Sequence, residues 1–113
     1  MSKPRNFSDL TVARQEFVRL AQRINYGQIL GLSVRNGDPV LSPGPVVLLD
    51  IKLPGDGARR EIGLVDFVLP AEISALMVLF DELRDGVIDV IHVQAGLPRR
   101  ITLRSTLTEA LRR

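Results

Sequence analysis

The sequence predicts an α+β fold: one antiparallel sheet of four or five strands with two helices on one face. Three observations carry this. Apolar residues recur at helical spacing twice, over residues 10–24 and 73–83. Each helical stretch meets a glycine and then an alternating run, from Gln28 to Arg35 and from Val87 to Gln94. Each run ends in a Gly-x-Pro turn, Gly37-Asp38-Pro39 and Gly96-Leu97-Pro98.

These pieces read as one unit occurring twice. Gly27 aligns with Gly86, Ile29 with Ile88, Val34 with Val93, Gly37 with Gly96 and Pro39 with Pro98. Leu20 with Leu79, and Ile24 with Leu83, extend the match into the helices. The sequence therefore predicts two helix–strand–hairpin repeats, about 10–53 and 70–104, related by a pseudo-two-fold axis within a single domain of 113 residues.

Taken in order, residues 1–7 are expected to fray. Ser8 and Asp9 are candidate N-caps for the first helix, which runs to about Asn25. Leu10, Ala13, Phe17, Leu20, Ala21 and Ile24 make one apolar stripe, with Arg14, Gln15, Arg19, Gln22 and Arg23 off it. Gly27, free to take positive φ, is the expected stop. In the first strand Leu30, Leu32 and Val34 share one face, and Gly31, Ser33 and Arg35 the other. Asn36-Gly37 signals a tight turn. Pro39 lacks a backbone donor and predicts an irregular return.

After Ser42-Pro43-Gly44-Pro45, residues 46–53 read as a long strand. Val47, Leu49, Ile51 and Leu53 alternate there against Asp50 and Lys52. Residues 59–69 are expected to run extended against the core. Pro70 suits the first turn of a second helix that reaches about Arg84. Its core stripe is Ile73, Leu76, Met77, Phe80 and Leu83. Strands at 87–94 and 99–104 complete the sheet, with Ile91, Val93, Ile101 and Leu103 toward the core. Residues 105–113 are expected either to form a short helical turn around Leu107 and Leu111 or to stay loose, with the flexible end at about 106–113.

Composition narrows the function classes. A 45% hydrophobic content with four Phe, one Tyr and no Trp gives an aliphatic core of modest size. No apolar run is long enough to span a membrane, and residues 1–9 lack the apolar core of a secretory signal. There is no cysteine, so neither disulfides nor thiolate metal sites are available. A cytoplasmic location is the simplest expectation. The formal charge is only +2, although 13 of the 15 basic residues are Arg.

The run Arg23-Ile24-Asn25-Tyr26-Gly27-Gln28-Ile29, followed by Val34-Arg35-Asn36-Gly37, resembles the helix–Gly–strand–turn–strand unit of small uncharacterised bacterial proteins of the YezD type. The second half carries Leu83-Arg84-Asp85-Gly86-Val87-Ile88 and Val93-Gln94-Ala95-Gly96 in the same pattern. This chain departs from that family in having two units and prolines after the turns. The resemblance implies the fold and brings no activity with it.

Few residues suggest chemistry. His92 is the sole histidine, expected on the face opposite Ile91 and Val93, near Ser33, Arg35 and Gln94. One His without Cys cannot build an ordinary structural zinc site, so a hydrogen-bonded strand residue is the expectation. Asp81, Glu82, Asp85 and Asp89 cluster around the end of the second helix, where the helix dipole disfavours negative charge. Paired carboxylates there could bind a cation or act as acid and base; a solvated helix end with local Arg84 pairing is the plainer reading. Gly55-Asp56-Gly57 fits no phosphate loop, and no nucleophile elbow occurs. No cofactor and no enzymatic activity are expected.

Two surfaces remain. Arg35, Lys52, His92, Arg100 and Arg104 are expected on the outer sheet face with Ser33, Asp50, Gln94 and Thr102, and Arg112 and Arg113 follow in the tail. Such a face suits a phosphate backbone, but it carries no aromatic side chain for base stacking. On the second helix, Ala75, Val78 and Leu79 lie beside the core stripe and form a candidate interface. The expectation is a non-catalytic protein-interaction module, homodimeric through that helix; the alternative is a nucleic-acid-binding accessory protein.

Overall fold

The computed structural model describes residues 4–51, 53, 66–104 and 111. A 3-10 turn, Phe7–Asp9, leads into helix α1, Val12–Ile24. Strands β1 (Gly27–Arg35), β2 (Asp38–Val40) and β3 (Val46–Leu49) follow. Helix α2 (Ala71–Leu83) precedes strands β4 (Gly86–Gln94) and β5 (Leu97–Thr102). All five strands form one antiparallel sheet in the order β2–β1–β4–β5, with β3 paired to β1 beyond the end of β2. The α+β architecture expected from the sequence is therefore the one observed.

Both helices pack on one face of the sheet. Phe17, Val18 and Ala21 of α1 and Ile73, Leu76, Met77 and Phe80 of α2 bury one core with Ile29, Leu32, Val34, Ile88, Ile91 and Val93. Phe17 and Phe80 meet edge to face at 5.7 Å and tie the helices together.

The chain enters α1 differently from expectation. Thr11, not Ser8 or Asp9, is the cap: its Oγ1 accepts from the Arg14 amide at 3.2 Å. The described part of the N-terminal arm is pinned rather than frayed. Phe7 donates to the Phe67 carbonyl at 3.0 Å, and Leu69 donates to that of Arg5 at 2.9 Å. Residues 66–69 therefore run extended as expected, but along this arm. The remainder of 59–69, with residues 1–3 and nearly all of the tail, lies outside the described residues.

Asp66 fastens the arm. Its carboxylate accepts from the Ser8 amide at 3.0 Å, the Ser8 hydroxyl at 3.0 Å, the Phe67 amide at 2.9 Å and Asn6 Nδ2 at 3.4 Å. The Ser8 amide foremost, against a smaller opposing desolvation, holds its pKa below the ordinary 3.8. All of these bonds favour the charged form. The contribution of Asp66 to stability is thus fully present above the unfolded value of 3.8 and disappears as pH falls through the lower folded value. Titration by NMR is expected to show the Ser8 and Phe67 amides losing protection in that acidic window. In Asp66→Asn the same amides should show no such acid transition.

Neither helix is stopped by its glycine. Asn25 and Arg84 take the positive φ, 62° and 58°. Gly27 is instead the first residue of β1, where a Cβ would lie 2.1 Å from the Leu48 carbonyl oxygen. It is glycine because β3 approaches that closely. Asn36-Gly37 and Ala95-Gly96 both form two-residue hairpin turns with positive φ throughout (52° and 78°; 53° and 73°). Gly37 donates to the Arg84 carbonyl and Gly96 to the Asn25 carbonyl, each at 2.8 Å. These helix ends and turns share backbone geometry. The outer strands differ, because β5 is continuous where β2 and β3 are separate.

The strand faces depart from simple alternation. Gly31 has φ +69°, and the core positions of β1 shift across it from Ile29 to Leu32 and Val34. Leu30 is therefore half-buried on the other face. Pairing skips the same point, passing from Leu30↔Val90 to Leu32↔Ile88. β3 is shorter than expected: Val47 pairs with Ile29, but the chain runs off the sheet end, leaving Leu49, Ile51 and Leu53 exposed. Leu103 is likewise exposed, because β5 stops at Thr102. Pro39 does not disrupt its strand; it is buried and pairs with Val34.

Candidate functional site

Cross-strand register decides which side chains share the open face of the sheet. Leu48, Gln28, His92 and Arg100 form one row. Val46, Leu30, Val90 and Thr102 form the next, and Val40, Ser33 and Val87 a third. Val46 is 61% exposed, Leu48 45% and Val87 51%. Leu30, Val40 and Val90 are half-buried between them. The face is thus mixed: one row is apolar from Val46 to Val90, and the rows beside it carry Gln28, His92, Arg100 and Ser33.

This differs from the basic face expected from the sequence. His92 and Arg100 are register neighbours, but Arg35 sits at the opposite end of β1. Seven residues separate Gln28 from Arg35, roughly 20 Å along a strand. Lys52 lies outside the described residues. Arg104 is turned toward Asp89, with Nε 3.3 Å from its carboxylate. His92 stands opposite Gln28 rather than near Ser33 and Arg35, since the strands are antiparallel; its Nδ1 is 3.5 Å from Gln28 Nε2.

The acidic cluster is divided among separate partners. Asp81 pairs with Arg14, Asp85 accepts from the Asn36 amide at 2.9 Å, and Asp89 faces Arg104. Glu82 is exposed, and the Arg84 side chain makes no ion pair among the described residues, so the local pairing expected for it is not formed. No group of three or more His, Cys, Asp or Glu suited to a metal occurs among the described residues.

Arg14 is the important residue that periodicity placed on the solvent side. It is 8% exposed. Its Nε and one terminal nitrogen both donate to the Gly37 carbonyl, at 3.2 and 2.8 Å. The same nitrogen reaches Asp81, Nε lies 3.6 Å from Asp38, and the guanidinium lies 5.7 Å from the Phe80 ring centroid. Asp38 also accepts from Thr11 Oγ1 at 2.8 Å. This clasp joins α1, the first hairpin turn and α2; its role is to hold the scaffold.

The candidate interface on α2 borders a second feature. Ala75 is exposed, and Val78 and Leu79 are half-buried. Ala75, Leu76 and Leu79 face Pro98 and Ile101 of β5 across a groove of about 300 Å³. Arg99 crosses its rim to Glu72 at 3.4 Å. A larger depression of about 680 Å³ lies beside α1, where Phe7, Leu20, Leu41 and Val47 mix with Glu16 and Arg23. Among the described residues no helix is long and apolar enough to cross a membrane.

Comparison of the chain with protein-family models, with curated proteins and with solved structures gives no match. The likeness to the YezD type accordingly rests on the motif residues quoted above.

Proposed function

We propose that this protein is a non-catalytic interaction module that self-associates through the open face of its sheet. One observation carries the reading: Val46, Leu48 and Val87 stand exposed there, and Val46 continues through Leu30 to Val90 as an unbroken apolar row. Large aliphatic side chains grouped in water on one face mark an association surface. Two sheets stacked face to face, as in a sandwich, would bury it. Strands about 4.8 Å apart, nine residues long in β1 and β4 and shorter in β2, β3 and β5, span roughly 500 Å² of flat area. Two copies together then approach the lower end of specific interfaces, about 1,200 Å². A two-fold contact of this size forms a dimer that dissociates on dilution. Ala75, Val78 and Leu79 contribute less, because the only exposed one, Ala75, is small, whereas Val46, Leu48 and Val87 are large and exposed.

Leu48→Glu should give a folded monomer by light scattering and circular dichroism, whereas Ala75→Lys should keep the dimer. If Ala75→Lys is the variant that dissociates, the interface belongs on α2. Nucleic-acid binding is the second reading, resting on the adjacent His92 and Arg100. It requires retention of DNA or RNA that weakens steeply with salt. The reading carries a cytoplasmic location, supported by the absence of cysteine.

A further inference from the structure

β5 closes the sheet order, and among the described residues no strand pairs with its outer edge. An open edge presents unpaired amides and carbonyls, which a second extended chain can satisfy. Here the edge adjoins the groove lined by Ala75, Leu76, Leu79, Pro98 and Ile101. An edge strand beside a helix, with an apolar groove between them, is the arrangement used for recognition by strand addition.

Charge selects the occupant. Arg99 and Arg100 are consecutive in β5 and project to opposite sides, Arg99 toward Glu72 of α2 and Arg100 into the row of His92 on the open face. Arg100 has no ion-pair partner among the described residues. Antiparallel pairing of β5 with a second copy centred on residues 99 and 100 would set these arginines against the same pair, and like charges directly opposite destabilise a ladder. Pro98, which lacks a donor, further blunts indiscriminate pairing at the start of the strand. An extended segment bearing carboxylates meets the opposite situation.

We propose that the β5 edge and the adjoining groove bind an extended acidic segment of a partner protein. Its main chain pairs with β5. Apolar side chains at alternate positions enter the groove beside Ile101, and the intervening carboxylates meet Arg100. The period-two geometry of a strand requires this alternation. The inference rests on the interaction-module reading but not on the sheet-face dimer.

The test uses the full chain, both unmodified and as the Leu48→Glu variant, so that self-association is scored separately by mass. The probe is a fluorescein-labelled acetyl-Val-Glu-Val-Glu-Val-Glu amide, with the Val-Lys peptide of the same length as control. Fluorescence anisotropy is expected to show at least tenfold tighter binding of the Glu peptide to Leu48→Glu, and to the unmodified chain at concentrations low enough to keep it a single chain. Arg100→Glu should invert that preference while circular dichroism stays native. Amide hydrogens of β5 should gain protection when the Glu peptide is bound. Equal affinity for the two peptides, no binding at millimolar protein, or a preference unchanged by Arg100→Glu would overturn the proposal. A chain that is monomeric throughout yet binds the Glu peptide sinks the dimer and leaves this inference standing.

Discussion

Arg14→Ala is expected to lower the unfolding free energy by about 3 kcal/mol, a large share of what a small domain has. The guanidinium is buried and supplies two donors to the Gly37 carbonyl. Its removal leaves that carbonyl without its side-chain donors and empties the space between α1 and Phe80. The carboxylates of Asp81 and Asp38 are 65% and 41% exposed, so water compensates much of their loss. Most of the cost therefore comes from the carbonyl and the packing. Arg14→Lys should recover only part of it, because an ammonium cannot reproduce the planar fork. Urea denaturation of the three proteins measures the series. An alanine variant as stable as the parent would show that the clasp contributes nothing.

Gly27→Ala is the second large effect. The added methyl would stand 2.1 Å from the Leu48 carbonyl oxygen and 2.9 Å from Ile24 Cγ2. The first neighbour is backbone and cannot rotate away, so β3 must separate from β1. A cost of about 3 kcal/mol is expected, at the upper end for overpacking. Gly86→Ala makes the contrast. Its methyl's nearest neighbours would be Leu83 side-chain atoms, the first at 3.1 Å, and that side chain can shift. The functional consequence separates the two variants as well. Displacing β3 removes Val46 and Leu48 from the open face, so Gly27→Ala should lose self-association while Gly86→Ala retains it. Denaturation and light scattering on the same pair of variants test both halves of the expectation.

These two residues also show where the sequence is readable and where it is not. The hairpin at Asn36-Gly37 and the inward stripe of α2 are legible, because turn chemistry and periodicity are local signals. Arg14 is illegible in the same terms. Its partners Gly37 and Asp81 lie 23 and 67 residues away, and an arginine off an apolar stripe ordinarily faces water. Gly27 looks like a helix stop because glycine does that often; its actual neighbour, Leu48, is supplied only by the sheet.

The open face was only half legible. Alternation from Leu30 to Val34 fails at Gly31, and a glycine within a strand is itself the warning of such a break. Once the face shifts there, Leu30 joins Val46 and Val90 on the outside. An expected basic surface thereby becomes a mixed one with an apolar row across it. The acidic residues after Phe80 misled for a different reason. Their spacing suggests a cluster, but each turns to a different partner elsewhere in the chain.

Sedimentation velocity of the unmodified protein over a wide dilution series tests the sheet-face interface most directly. The expected result is a species of twice the 12.5 kDa chain mass at high concentration. It should convert to the single-chain species on dilution, and Leu48→Glu should stay at the single-chain mass throughout. A 12.5 kDa species at every concentration, or a dimer that Leu48→Glu leaves intact, would contradict the account.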